Sequence, residues 1–160
     1  MHYALSVHGL ATGTTAGTFK TLLGFKHADT TGHRARVRAL HVSGGNGAPQ
    51  DLQATIKMAL TDNTTDGTST DASSDVAKKD GDSVASRMTA VGKNYTVEPT
   101  AYGDPVFLGA LNTRGQLHKE WHDPDSMPVW GKNTTLGVLA TIGDGTTAAN
   151  LDVTIEWEEF

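Results

Sequence analysis

Leu52-Gln53-Ala54-Thr55-Ile56-Lys57-Met58-Ala59-Leu60 and Leu151-Asp152-Val153-Thr154-Ile155-Glu156-Trp157 are the stretches whose reading decides the fold. In both, apolar side chains return at every second position, the period of a strand with one covered face and one wet face. Leu52, Ala54, Ile56, Met58 and Leu60 share one side of the first. Leu151, Val153, Ile155 and Trp157 oppose Asp152, Thr154, Glu156 and Glu158 in the second, and Phe160 closes the chain. Working outward, shorter alternating or fully apolar runs lie at 3–7, 18–25, 35–42, 105–111, 116–121 and 134–142, for about eight strands. No segment of ten or more residues carries a 3.6-residue period, and 83–90 is the best candidate for one helical turn. Turn chemistry separates the runs: Gly44-Gly45-Asn46-Gly47-Ala48-Pro49, Asp123-Pro124-Asp125 and Gly143-Asp144-Gly145. Many short strands at this spacing predict an all-β chain, a jelly-roll-like β-sandwich.

Composition agrees. The 160 residues suit one domain. Thr (23) outnumbers Leu (13) and Gly reaches 18, which favours Thr-bearing strands and Gly turns over a helical bundle. Thirteen basic and eighteen acidic side chains leave a net charge of -5, and protonating all seven His would make it +2. That balance argues against nucleic acid or an anionic membrane as the main partner. No Cys is present, which excludes disulfides, thiolate metal sites and Cys nucleophiles. No run approaches the ~20 apolar residues of a membrane helix. The opening residues alternate like a strand rather than a signal peptide, so the Asn-x-Thr triplets at Asn63, Asn94 and Asn133 read as turn chemistry.

Two regions stand apart. Residues 1–33 are expected to form an N-terminal strand and extended arm, ahead of a sandwich domain over 34–160. Residues 61–82 hold Thr, Asp, Ser, Gly and Lys with Val76 as the sole large apolar side chain, and read as a long surface excursion.

Catalytic and metal motifs fail their tests. Asp62 to Gly67 begins like a calcium loop, but Thr64 and Ser73 stand at its third and twelfth positions, where oxygen-rich ligands are needed. His118 and His122 would converge on a metal with Glu120 from a helix; on a strand they lie ~13 Å apart. Gly13 to Thr18 lacks the Lys of a phosphate loop, and no Ser occupies a nucleophile elbow. Glu156, Glu158 and Glu159 read as a solvated edge rather than an acid–base pair. The basic run His33-Arg34-Ala35-Arg36-Val37-Arg38 offers either a patch for phosphate or an acidic partner or cross-strand pairing with Glu156 and Glu158. No catalytic residue, cofactor or metal is therefore expected.

The order of several short segments carries a resemblance. Arg36-Val37-Arg38-Ala39-Leu40 runs on to Gly47-Ala48-Pro49-Gln50-Asp51, followed by Asp66-Gly67-Thr68-Ser69-Thr70 and Tyr95-Thr96-Val97-Glu98-Pro99-Thr100. After these come Leu111-Asn112-Thr113-Arg114, Trp121, Trp130 and the terminal Glu158-Glu159-Phe160. Over roughly residues 34–160 this sequence resembles the small capsid decoration (cement) proteins of tailed bacteriophages, with Thr113 where Gln is expected. The resemblance implies a β-sandwich, often a homotrimer, on the outer capsid surface of the virion, bridging subunits of the major capsid protein. Expected interface residues are Arg114, Trp121 and Trp130, because Trp and Arg are enriched in hot spots, together with Arg34 and Arg36. A carbohydrate-binding module with Trp121, Trp130 or Tyr102 stacked on sugar rings is the alternative, and a metal-dependent jelly-roll enzyme using His118, Glu120 and His122 is a third reading.

Overall fold

The alternation becomes two antiparallel sheets packed face to face. The structure, a computed structural model, describes residues 1–27, 32–45, 51–62, 67–99, 101–143 and 147–160. The strands are β1 (His2–Ala11), β2 (Lys20–His27), β3 (Ala35–Gly44), β4 (Gln53–Asp62), β5 (Thr68–Asp71), β6 (Ala77–Lys78), β7 (Ala90–Val97), β8 (Pro105–Asn112), β9 (Gln116–Glu120), β10 (Val129–Trp130), β11 (Thr134–Ile142) and β12 (Asn150–Glu159). One sheet runs β10-β3-β12-β1-β6, with β9 beside β10 on the same edge of β3; the other runs β5-β7-β2-β11-β4-β8.

Eight of these strands nest by pairing: β1 with β12, β2 with β11, β3 with β9 and β4 with β8. That nesting across two sheets is the jelly roll predicted from the sequence, and the eight strands are the eight predicted runs. β5, β6, β7 and β10 are additions that alternation did not reveal.

Every second residue of the long strands points into the core, as the period-two reading requires. Leu5, Leu40, Val42 and Ile155 from one sheet meet Ile56, Met58, Leu136 and Val138 from the other, all buried. Burial of each such side chain contributes about 1.5–3 kcal/mol. An aromatic line crosses the interior: Trp157 lies 5.7 Å from Tyr3 and 5.3 Å from Phe25, which lies 6.4 Å from Trp130.

The N-terminal region is not an arm. β1 lies between β12 and β6, β2 lies between β11 and β7, and Tyr3, Leu5, Leu10, Leu22, Leu23 and Phe25 are core residues. The sparse Gly and Thr residues between the two strands form only the link from one sheet to the other.

The described part of 61–82 is the expected surface excursion, and it carries short strands of its own. β5 pairs with β7 and β6 pairs with β1, so the segment passes from the edge of one sheet to the edge of the other. Ala72 is buried there, its N–H donating to the Val91 carbonyl at 2.7 Å. Backbone pairing at exposed edges holds this strap, so it needs little apolar sequence. Asp71 Oδ1 accepts hydrogen bonds from the Ser73 N–H at 2.9 Å and hydroxyl at 2.7 Å, which hold its carboxyl below the usual range.

Residues 83–88 form no helical turn; 3-10 turns occur at Ser73–Asp75 and Pro124–Ser126 instead. Asn133 takes positive φ of 58° in a turn, as its triplet suggested, whereas Asn94, with φ of 51°, is an irregular position inside β7 and not a turn. The third triplet at Asn63, most of the calcium-like loop and the tips of the turns at 46–49 and 144–145 lie outside the described residues.

Candidate functional site

The outer face of the sheet that holds β12 is a charged ladder. Glu158 receives Arg36, through both Nε and Nη2, and Arg38 at 3.1 Å, with His2 at 3.1 Å. Register puts Glu158 opposite Arg36, and a bulge displaces β3 by one residue between Val37 and Ala39, so two successive outward Arg reach one carboxylate. Lys79 meets Glu156 at 2.6 Å and His8 meets Asp152 at 3.1 Å.

The terminal glutamates therefore form no solvated edge, because β12 is an interior strand of its sheet. Glu159 follows Trp157 on the inward side and is 2% exposed. Its carboxylate accepts from Ser86 Oγ at 2.6 Å, the Arg87 N–H at 2.9 Å and Trp157 Nε1 at 3.1 Å. It is a structural clamp on the chain between β6 and β7. Burial first, then the charge of Glu159, pushes the Tyr3 phenol above its ordinary 10.0, with Arg87 opposing.

The residues expected at an interface separate into three places. Trp121 is 7% exposed, edge-on to Phe107 at 5.5 Å, its N–H donating to the Arg38 carbonyl at 2.9 Å. It belongs to the core rather than to an exposed anchor. Arg114 is exposed in the tight turn between β8 and β9, where Asn112 Oδ1 accepts its N–H at 2.9 Å. That turn abuts Gly44, at the far end of β3 from Arg34.

Arg34, Arg36 and Trp130 do come together. β10 pairs Val129 with Arg36 and Trp130 with Ala35. Arg34 and Phe160 exchange backbone hydrogen bonds at 3.0 Å each, and the Arg36 guanidinium lies 5.0 Å from the centroid of the Phe160 ring. Phe160 itself is 53% exposed. Beside them opens a cleft of about 350 Å³ bounded by His33, Arg34, Leu60, Trp130, Lys132 and Thr134. A turn over 131–134 shapes its far wall: the Thr134 N–H donates to the Gly131 carbonyl at 3.0 Å and Asn133 takes positive φ. Trp130 is 2% exposed, so it serves as the floor of the cleft and not as a protruding anchor.

Lys132 and Phe160 are the members of this end that sequence reasoning did not single out, whereas His33 opened the basic run. A Gly-Lys-Asn turn next to Trp130 was the available signal, but only pairing of β10 with β3 brings it beside the Arg run.

His118 and His122 flank Glu120 on and beyond β9, at 3.2 and 3.4 Å. Among the described residues no group of three or more His, Asp or Glu is placed to hold a metal ion. Tyr102 lies flat over Gly137 with its hydroxyl 3.2 Å from Thr21 Oγ1, and burial raises its phenol pKa strongly. A recess of about 310 Å³ over β2 and β7 includes Tyr95, whose hydroxyl end is seated on Gly24 and Gly92. Trp121 and Trp130 thus offer no open ring face of the kind on which a sugar stacks, whereas Tyr102 is half-buried.

No protein-family model matches the chain, and no curated protein matches it.

Proposed function

We propose that this chain is a structural virion protein that docks on the outer surface of an assembled tailed-phage head and bridges subunits of the major capsid protein. The observation that carries the reading is the end of the jelly roll where Arg34, Arg36, Lys132 and the exposed Phe160 lie together above the buried Trp130. Arg and aromatic residues are the types enriched in protein interfaces. The ordered resemblance of 34–160 to decoration proteins and the jelly-roll fold support it further. Such a protein acts by many symmetric contacts of modest strength rather than by an active site, so the proposal makes it no enzyme.

The homotrimer is part of the same proposal, and β8 supports it. β8 lies at the end of its sheet, carries Val106 and the 58% exposed Leu108 outward, and has no charged side chain from Pro105 to Thr113. Uncharged, apolar edge strands favour pairing with another chain.

Co-sedimentation of the purified protein with expanded heads of the phage that encodes it tests the reading. Selective binding to expanded heads, with a gain in their heat resistance, is the expected result. Absence of binding, or bare heads as heat-resistant as decorated ones, would contradict it.

A further inference from the structure

We propose that the cleft between Arg34 and Lys132 receives the carboxylate of a glutamate or aspartate on an acidic segment of a partner protein. Three independent observations converge on that chemistry.

The first is the sign of the lining. His33, Arg34 and Lys132 border the cleft, and none of its described lining residues is acidic, on a chain whose net charge is -5. Several other cations are engaged by acidic side chains: Arg36 and Arg38 on Glu158, Lys79 on Glu156, Lys93 on Asp75. The Arg34 and Lys132 side chains meet no acidic partner among the described residues. Two adjacent cations with no acidic partner among the described residues, on an acidic protein, are a place for an incoming negative charge.

The second is an orphan donor. Trp130 Nε1 is buried and has no hydrogen-bond acceptor among the described residues. A buried donor left unsatisfied costs about 1–3 kcal/mol, and native structures retain few of them. Arg and Lys at the cleft donate and do not accept, so the complementary ligand is an oxyanion that only accepts, and the covered Trp130 N–H is a further donor that a small turn of the ring would present to it.

The third is shape. Leu60 and the Trp130 ring give the cleft apolar walls suited to the methylenes of an acidic side chain, and exposed Phe160 beside Arg36 extends the contact to neighbouring residues of the partner. These features favour a carboxylate presented on a peptide over a free inorganic oxyanion. The proposal rests on the docking reading for the biological source of the segment; its chemistry is tested without heads.

The test follows the indole N–H resonances of the ¹⁵N-labelled protein, with Trp130 assigned by its absence in Trp130→Phe. The probe is a capped Gly/Ser peptide containing two Glu, compared with its Gln counterpart and with inorganic phosphate. The Glu peptide is expected to move the Trp130 signal downfield and leave Trp157 in place, more weakly at high salt, while the Gln peptide moves nothing. Arg34→Gln with Lys132→Gln, both at exposed positions, is expected to weaken the response by roughly tenfold or more. An unmoved Trp130 signal at millimolar peptide, or an undiminished response in the double variant, would overturn the proposal. Phosphate as effective as the Glu peptide would overturn the assignment to a peptide. If Trp130 responds while the protein ignores heads, the docking reading fails and the carboxylate site stands.

Discussion

Glu159 shows how a single buried carboxylate fixes a stretch that has no regular structure. Its two oxygens collect a hydroxyl, a backbone N–H and an indole N–H, all of which lose their partner if it is removed. Glu159→Ala is expected to cost about 3 kcal/mol in denaturant unfolding, and Glu159→Gln, which keeps one acceptor oxygen, roughly 1 kcal/mol. Tyr3 beside Glu159 and Tyr102 on the other sheet set an alkaline limit. Tyr3 and Tyr102 both ionise above the ordinary phenol value of 10.0 in the folded chain. A phenol whose folded pKa is raised contributes stability that is complete below about pH 10 and is lost as pH climbs through the folded value. Unfolding midpoints should therefore fall above pH 10, and Tyr3→Phe or Tyr102→Phe should each flatten that fall. Part of this was legible. Parity along β12 put Glu159 on the side of Trp157 and Ile155, the inward side, whereas Glu158 sits on the wet side and is buried only because Arg36, Arg38 and His2 close over it. Covering of that kind depends on cross-strand register, which a single sequence does not state.

At the scale of elements, the two inner faces are built by alternation and the outer face of the β2–β11 sheet by aromatic lids on glycine. Gly24 and Gly92 face each other across β2 and β7, and a Cβ on Gly24 would stand 2.0 Å from the Tyr95 hydroxyl. On β11 a Cβ at Gly137 would stand 2.4 Å from the Tyr102 ring. Gly137→Ala is expected to destabilise by about 1–3 kcal/mol through overpacking, and to bring the Tyr102 phenol back toward ordinary ionisation as the ring lifts. An ultraviolet pH titration of the variant reads the second effect directly. The predicted strands were visible in the sequence either because one covered face keeps period two, as in β4 and β12, or because burial on both faces gives a continuous apolar run, as in β2 and β11. β5, β6 and β10 were not, because strands of two to four residues at sheet edges are fixed by backbone partners. β7 was hidden by Asn94, whose positive φ breaks its alternation. The interface residues divided on similar grounds: residue type pointed to Trp121 and Trp130, but large aromatics serve a core as readily as an interface, and only pairing of β10 with β3 set Trp130 beneath a cation-bordered cleft.

For the whole molecule, nested pairing from β1–β12 inward ties both chain ends into the middle of one sheet and leaves the ends and edges of the sandwich to meet other molecules. One such edge is β8. If it is buried between copies, light scattering should give a mass near three times 16.9 kDa for the unaltered protein. Leu108→Lys, a substitution at an exposed position, should shift it toward the single-chain mass without lowering the unfolding temperature. Equal masses for the two would remove β8 from the assembly. The cation–aromatic end is the surface assigned to the capsid, and the acidic remainder suits an outward-facing position where packaged nucleic acid would otherwise repel it. Cryo-electron microscopy of expanded heads incubated with the protein tests this most directly. The account predicts added density on the outside of the shell, with the Arg34, Lys132 and Phe160 end seated against major capsid subunits. Heads without added density, or density with that end turned to solvent, would contradict it.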